Sequence, residues 1–135
     1  MPFNEATSNF VMQSDTNSKH WPVEIRLNKN KRQLDIEFED GNKFSLSAEL
    51  LRVESPSAEV RGHNPSGKKI LAGRKHVAVM NIEKVGRYAI RIHFDDLHNT
   101  GIYTWENLYR LGRDQAAIWQ DYLQALKENG LSRSP

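Results

Sequence analysis

In Val23-Glu24-Ile25-Arg26-Leu27 and again in Leu34-Asp35-Ile36-Glu37-Phe38, an apolar residue falls at every second position. That is the period of a strand with one buried face. Phe44-Ser45-Leu46 resumes it after Asp40-Gly41, a tight-turn pair, so an antiparallel meander with Ile, Leu and Phe on one face is expected. His76 to Ile82 and Tyr88 to Phe94 predict two further strands joined at Lys84-Val85-Gly86-Arg87. Tyr88, Ile90, Ile92 and Phe94 should then share one side, and Arg91 and His93 the other. From Thr104 the period lengthens. Trp105, Leu108 and Tyr109 suit a short helix, and Ile118, Trp119, Tyr122, Leu123 and Leu126 trace the stripe of a longer one, with Asp114 as N-cap and a stop at Gly130. The predicted fold class is α+β: a small antiparallel β-sheet of about five strands packed with C-terminal helices. Ser47 should cap a short apolar turn through Leu51, and Pro56 opens a loop over residues 55–69.

A chain of 135 residues supplies one core. A single domain over residues 19–130 is expected, with a disordered N-terminal tail over 1–18 and a C-terminal tail over 131–135. The first eighteen residues have no basic segment and no apolar run longer than Phe10-Val11-Met12, so they are not expected to be a signal peptide. Nothing approaches the roughly 20 apolar residues of a membrane helix, so no membrane association and a cytoplasmic location are expected. The chain has no cysteine, which excludes disulfides, thiolate metal sites and thiol nucleophiles, and leaves His and carboxylates as the available metal ligands.

The net charge of +2 conceals a segregation: residues 35–59 carry seven acids against two bases, and residues 61–93 carry eight bases against one acid. Arg61, Lys68, Lys69, Arg74, Lys75, Lys84, Arg87 and Arg91 either gather to attract an acidic partner or pair with the acidic segment. No helix-turn-helix or aromatic-rich RNA-binding pattern accompanies them, so nucleic acid is not the expected partner.

Three short patterns resemble catalytic motifs. Gly62 to Lys69 matches a phosphate-binding loop at both glycines and at Lys68, but Lys69 stands where a Mg²⁺-binding hydroxyl is needed, and no helix follows. His93-Phe94-Asp95 has the spacing of an iron-binding His-x-Asp pair, yet a distal histidine from a remote strand is missing. His93, Asp95, Asp96 and His98 lie within six residues, and are the positions where a divalent metal is possible. Otherwise no cofactor is expected, and no serine stands out as a nucleophile.

The runs LLRVESPSAEVRGH (residues 50–63), AGRKHVAV (residues 72–79) and GRYAIRIHFDDLHNTGIYTWENLYRLG (residues 86–112) resemble the gamma-butyrobetaine hydroxylase-like N-terminal family, a small domain of unknown function, over about residues 20–112. In hydroxylases such a domain precedes the oxygenase barrel and holds a structural zinc through three closely spaced cysteines after a Leu-Arg pair and a later histidine. The resemblance places the pair at Leu51-Arg52, the cysteine positions at Ser55, Ser57 and Val60, and the histidine at His98. It thus implies the fold, and argues against that zinc, because two serines and a valine cannot replace three thiolates. Related domains are also appended to Mrp-type iron–sulfur carrier ATPases, which implies an adaptor role.

The expected function is therefore a non-catalytic binding or adaptor module for an unknown protein partner, the oxygenase barrel being absent. Arg52, Glu54, Arg61, His63, Lys68, Lys69 and Arg91 are the expected partner-binding residues. The alternative is an iron- or zinc-binding protein of an oxidoreductase or iron–sulfur system, using His93, Asp95, Asp96 and His98. Gly101-Ile102-Tyr103-Thr104-Trp105 is expected to pack the helix onto the sheet.

Overall fold

The computed structural model describes residues 20–57, 60 and 68–135. The expected N-terminal tail, Arg61 and His63 lie outside the described residues. Strand β1 (Pro22–Leu27), β2 (Gln33–Phe38) and β3 (Lys43–Ser47) form an antiparallel sheet in that order. Its register sets Ile25 against Ile36, Leu27 against Leu34 and Leu34 against Leu46, so the alternation buries one continuous apolar face. The β2–β3 turn uses Gly41 at φ +89°, and Asp40 Oδ1 accepts from the Asn42 amide at 2.9 Å.

Helix α1 (Ala48–Val53) follows at once, capped by Ser47, whose hydroxyl accepts from the Leu50 amide at 3.0 Å. After it come β4 (Val79–Val85), β5 (Ala89–Phe94) and β6 (Ile102–Thr104), then helices α2 (Trp105–Arg113) and α3 (Gln115–Glu128). The α+β class holds, but the described residues contain two three-stranded sheets rather than one sheet of about five strands. The sixth strand, β6, is three residues long, too short to show a period.

Other local expectations are corrected as well. Tyr88 is 46% exposed and belongs to a turn built on Gly86 at φ +56°; its carbonyl accepts from the Trp105 amide while its ring stays outside. Strand β4 begins at Val79, not His76, because residues 75–76 form a turn closed by the Val77 amide on the Arg74 carbonyl at 3.1 Å; the Val79 amide donates to the Lys31 carbonyl at 2.7 Å, which ties the two sheets together. Asp114 does stand at the N-cap of α3, but its side chain makes no capping bond; its carboxylate is held by Arg113 at 3.0 Å instead.

One apolar cluster joins both sheets to α2, with Ile25, Leu34, Ile36, Ile82, Ile90, Ile92, Trp105 and Leu108 among its buried members. As expected of the segment 101–105, Trp105 fastens α2 to the second sheet: its indole N–H donates to the Arg87 carbonyl at 2.7 Å. Helix α2 approaches β3 so closely at Gly112 that a Cβ there would lie 2.3 Å from Phe44 Cγ. Helix α3 buries Tyr122 and Leu126 against Val53 in a second, smaller cluster. Residues 131–135, the expected tail, are tied back to the body: the Gly73 amide donates to the Ser132 carbonyl and the Lys75 amide to the Arg133 carbonyl. Among the described residues no helix is long and apolar enough to cross a membrane.

Candidate functional site

Helix α1 ends at Val53, and the chain turns inward so that Ser55 is fully buried and Ser57 nearly so. On the opposite side, β5 ends at Phe94 and a tight turn through Leu97, at φ +73°, swings His98 back inside. The two loops meet. Ser55 Oγ and His98 Nε2 share a hydrogen bond of 2.9 Å, and Ser57 Oγ and Thr100 Oγ1 one of 2.8 Å. The Ser57 amide also donates to Ser55 Oγ at 3.3 Å. Gly101 lets the strand pass over this junction, since a Cβ there would sit 2.4 Å from Ser55 Oγ. Beneath it the Tyr103 hydroxyl donates to the Leu51 carbonyl, and burial pushes that phenol far above its ordinary range. Val60, the remaining position that the resemblance aligns with a cysteine, is also buried.

The four ligand-type residues of this region point to different partners. His93 faces outward from the second sheet and pairs with Glu83. Asp95 accepts from the Ala78 amide at 3.1 Å. Asp96 receives Arg52 Nε at 2.7 Å, with Arg74 Nε 3.0 Å away, and accepts from the His98 amide at 3.2 Å. Burial opposes ionisation of Asp96, but the Arg52 hydrogen bond, the His98 amide and the two guanidiniums outweigh it and hold the carboxyl below its ordinary value. Among the described residues no group of three or more His, Cys, Asp or Glu is arranged to hold a metal ion.

Of the expected partner-binding residues that are described, the fold brings Glu54, Lys68 and Lys69 together and places Arg52 and Arg91 elsewhere. Arg52 is buried against Asp96, and Arg91 lies across the second sheet, 4.0 Å from Glu83. Glu54, Lys68 and Lys69 line a cavity of about 380 Å³ between residues 68–71 and α3, whose apolar lining includes Val53, Leu71 and Ile118. Tyr122 holds its wall by donating to the Leu71 carbonyl at 2.5 Å, and Lys68 pairs with Glu54 at 2.5 Å. Arg110 and Asp121 complete the charged lining. Neither was singled out in the sequence, because an isolated charge on a helix carries no signal until a loop is folded over it.

The family model described as gamma-butyrobetaine hydroxylase-like, N-terminal, matches residues 25–109. Two NMR solution structures resemble the chain: one is 39% identical with a TM-score of 0.75, covering 87% of this chain and 93% of its own. The other is 40% identical with a TM-score of 0.75, covering 91% and 92%. A crystal structure of a protein of unknown function in the DUF971 family, from Acidithiobacillus ferrooxidans ATCC 23270, is 40% identical with a TM-score of 0.58 and covers 73% of this chain and 98% of its own. No curated protein matches. With the family's pattern running from β1 into α2, and three solved structures of 39 to 40% identity sharing the fold, this chain belongs to the gamma-butyrobetaine hydroxylase-like N-terminal domain family.

Proposed function

We propose that the chain is a non-catalytic binding or adaptor module, and that its partner enters the cavity between residues 68–71 and α3 with an acidic segment carrying an apolar anchor. The supporting observation is the chemistry of that cavity. Its volume of about 380 Å³ suits a few side chains, and Val53, Leu71 and Ile118 give it an apolar lining. Glu54 is already neutralised by Lys68, whereas Lys69 and Arg110 form no ion pair among the described residues and share the lining with Asp121 as the remaining acid. The uncommitted charge is therefore positive, which favours an acidic partner and speeds its encounter.

The test is a retention experiment with the full chain. Proteins held by immobilised wild type should also be held by Lys84→Glu, which alters an exposed residue of β4 remote from the cavity lining. They should be lost with the Lys69→Glu/Arg110→Glu variant. Equal retention by that double variant would overturn the reading.

A further inference from the structure

Glu49 is a carboxylate on α1 that is 6% exposed, and its hydrogen bonds among the described residues all come from Arg133. Arg133 Nε lies 2.9 Å from Oε2 and Nη2 lies 2.8 Å from Oε1, the two-pronged geometry in which a guanidinium reads a carboxylate. The same guanidinium stands 5.3 Å from the centre of the Trp119 ring. Beside this seat the backbone of Ser132 and Arg133 is held by two main-chain donors, the Gly73 amide at 2.9 Å and the Lys75 amide at 3.1 Å. A side chain at residue 73 would crowd it, since a Cβ there would lie 3.3 Å from Pro135 Cα.

Only one side chain of this segment is read. Ser132 Oγ accepts from the Ser134 amide within the segment itself, and Leu131 is 42% exposed. Main-chain bonds that do not depend on the side chain, combined with a pocket specific for one side chain, are the parts from which peptide-recognition sites are made. We propose that Glu49, Trp119 and the Gly73 and Lys75 amides form a recognition site for a short segment bearing an arginine, filled in cis by Ser132–Pro135 and open to the same chemistry in trans. This site is separate from the cavity at residues 68–71, and either can fail without the other.

A tethered occupant competes at a high effective concentration, so the site is best examined with its anchor removed. Full-length Arg133→Ala, labelled with ¹⁵N, is titrated with the peptide Leu-Ser-Arg-Ser-Pro and with Leu-Ser-Ala-Ser-Pro. The arginine peptide should produce saturable shifts of the Gly73 and Lys75 amides and the Trp119 indole N–H, and the alanine peptide should bind on the order of tenfold more weakly or not at all. Adding Glu49→Gln should abolish the difference between the two peptides. If Arg133→Ala does not fold, Arg133→Lys keeps the charge but not the two-pronged contact, and serves in its place. A folded variant whose signals do not respond, or respond alike to both peptides, would overturn the proposal.

Discussion

Ser55 Oγ and His98 Nε2 meet at 2.9 Å, 43 residues apart in sequence and both buried, at the point where the loop after α1 touches the turn after β5. In a buried junction the loss of such a bond costs more than the same loss at the surface. Ser55→Ala removes the hydrogen bond to His98 Nε2 and an acceptor of the Ser57 amide together. It should lower unfolding stability in urea by about 1–3 kcal/mol. His98→Phe should cost a similar amount, and the double variant clearly less than the sum, because the two residues share one interaction. Additive losses would show that the pair is not coupled.

The same junction predicts a response to metal. The family resemblance aligns zinc ligands with Ser55, Ser57, Val60 and His98; Ser55 contacts His98 directly, and Ser57 and Val60 are buried nearby in the chain. Ser55→Cys, Ser57→Cys and Val60→Cys together would supply three thiolates beside one imidazole, a set that zinc binds tetrahedrally. This variant should take up about one zinc per chain, and its melting temperature should fall when EDTA removes the metal. The wild-type melting curve should not respond to EDTA. An EDTA-sensitive wild type would instead favour a metal held by its histidines and carboxylates.

Helix α2 and β3 are in contact through Gly112, where a Cβ would press to 2.3 Å on Phe44 Cγ and 2.5 Å on Cδ2. On an isolated helix Gly→Ala gains about 0.5–1 kcal/mol. Here the methyl must displace an aromatic ring that also packs edge-on against Phe38 and Tyr109, at centroid distances of 6.0 and 5.3 Å. Gly112→Ala should therefore destabilise by about 1–3 kcal/mol, the usual cost of overpacking. Combining it with Phe44→Leu should recover part of the loss, and a stabilised Gly112→Ala would show that β3 yields easily.

These contacts differ in how far the sequence discloses them. The strand faces were legible because β1 and β2 each bury one side, so Ile25, Leu27, Leu34, Ile36 and Phe38 carry the period openly. The split into two sheets was not, since it depends on which strands pair and on β6, whose three residues show no alternation. Lys68 and Lys69 stood out as a local basic pair, but Arg110 joins them only through tertiary folding. Arg133 and Glu49 are 84 residues apart and neither belongs to a motif, so nothing local announces their pairing. The convergence of Ser55 on His98 was visible through family resemblance alone, because serines and a histidine at this separation have no spacing of their own to recognise.

Asp96 makes the acid limb of stability testable. It lies between Arg52 and Arg74, and its carboxyl titrates below the ordinary value of 3.8. A carboxyl whose folded value is depressed stabilises the fold above its unfolded value, and that contribution is lost as pH falls through the folded one. Urea unfolding of the wild type should thus show stability declining below about pH 4, as protonation leaves the buried Arg52 without its counter-ion. Asp96→Asn should be less stable than wild type at pH 6, yet lose less on acidification, so the two curves converge toward pH 2. Asp40, Glu83 and Asp114 are also held below the ordinary range and keep a residual slope in both proteins. Curves that ran parallel from pH 6 to pH 2 would mean that Asp96 takes no part in the acid limb, and that its two arginines are neutralised by another group.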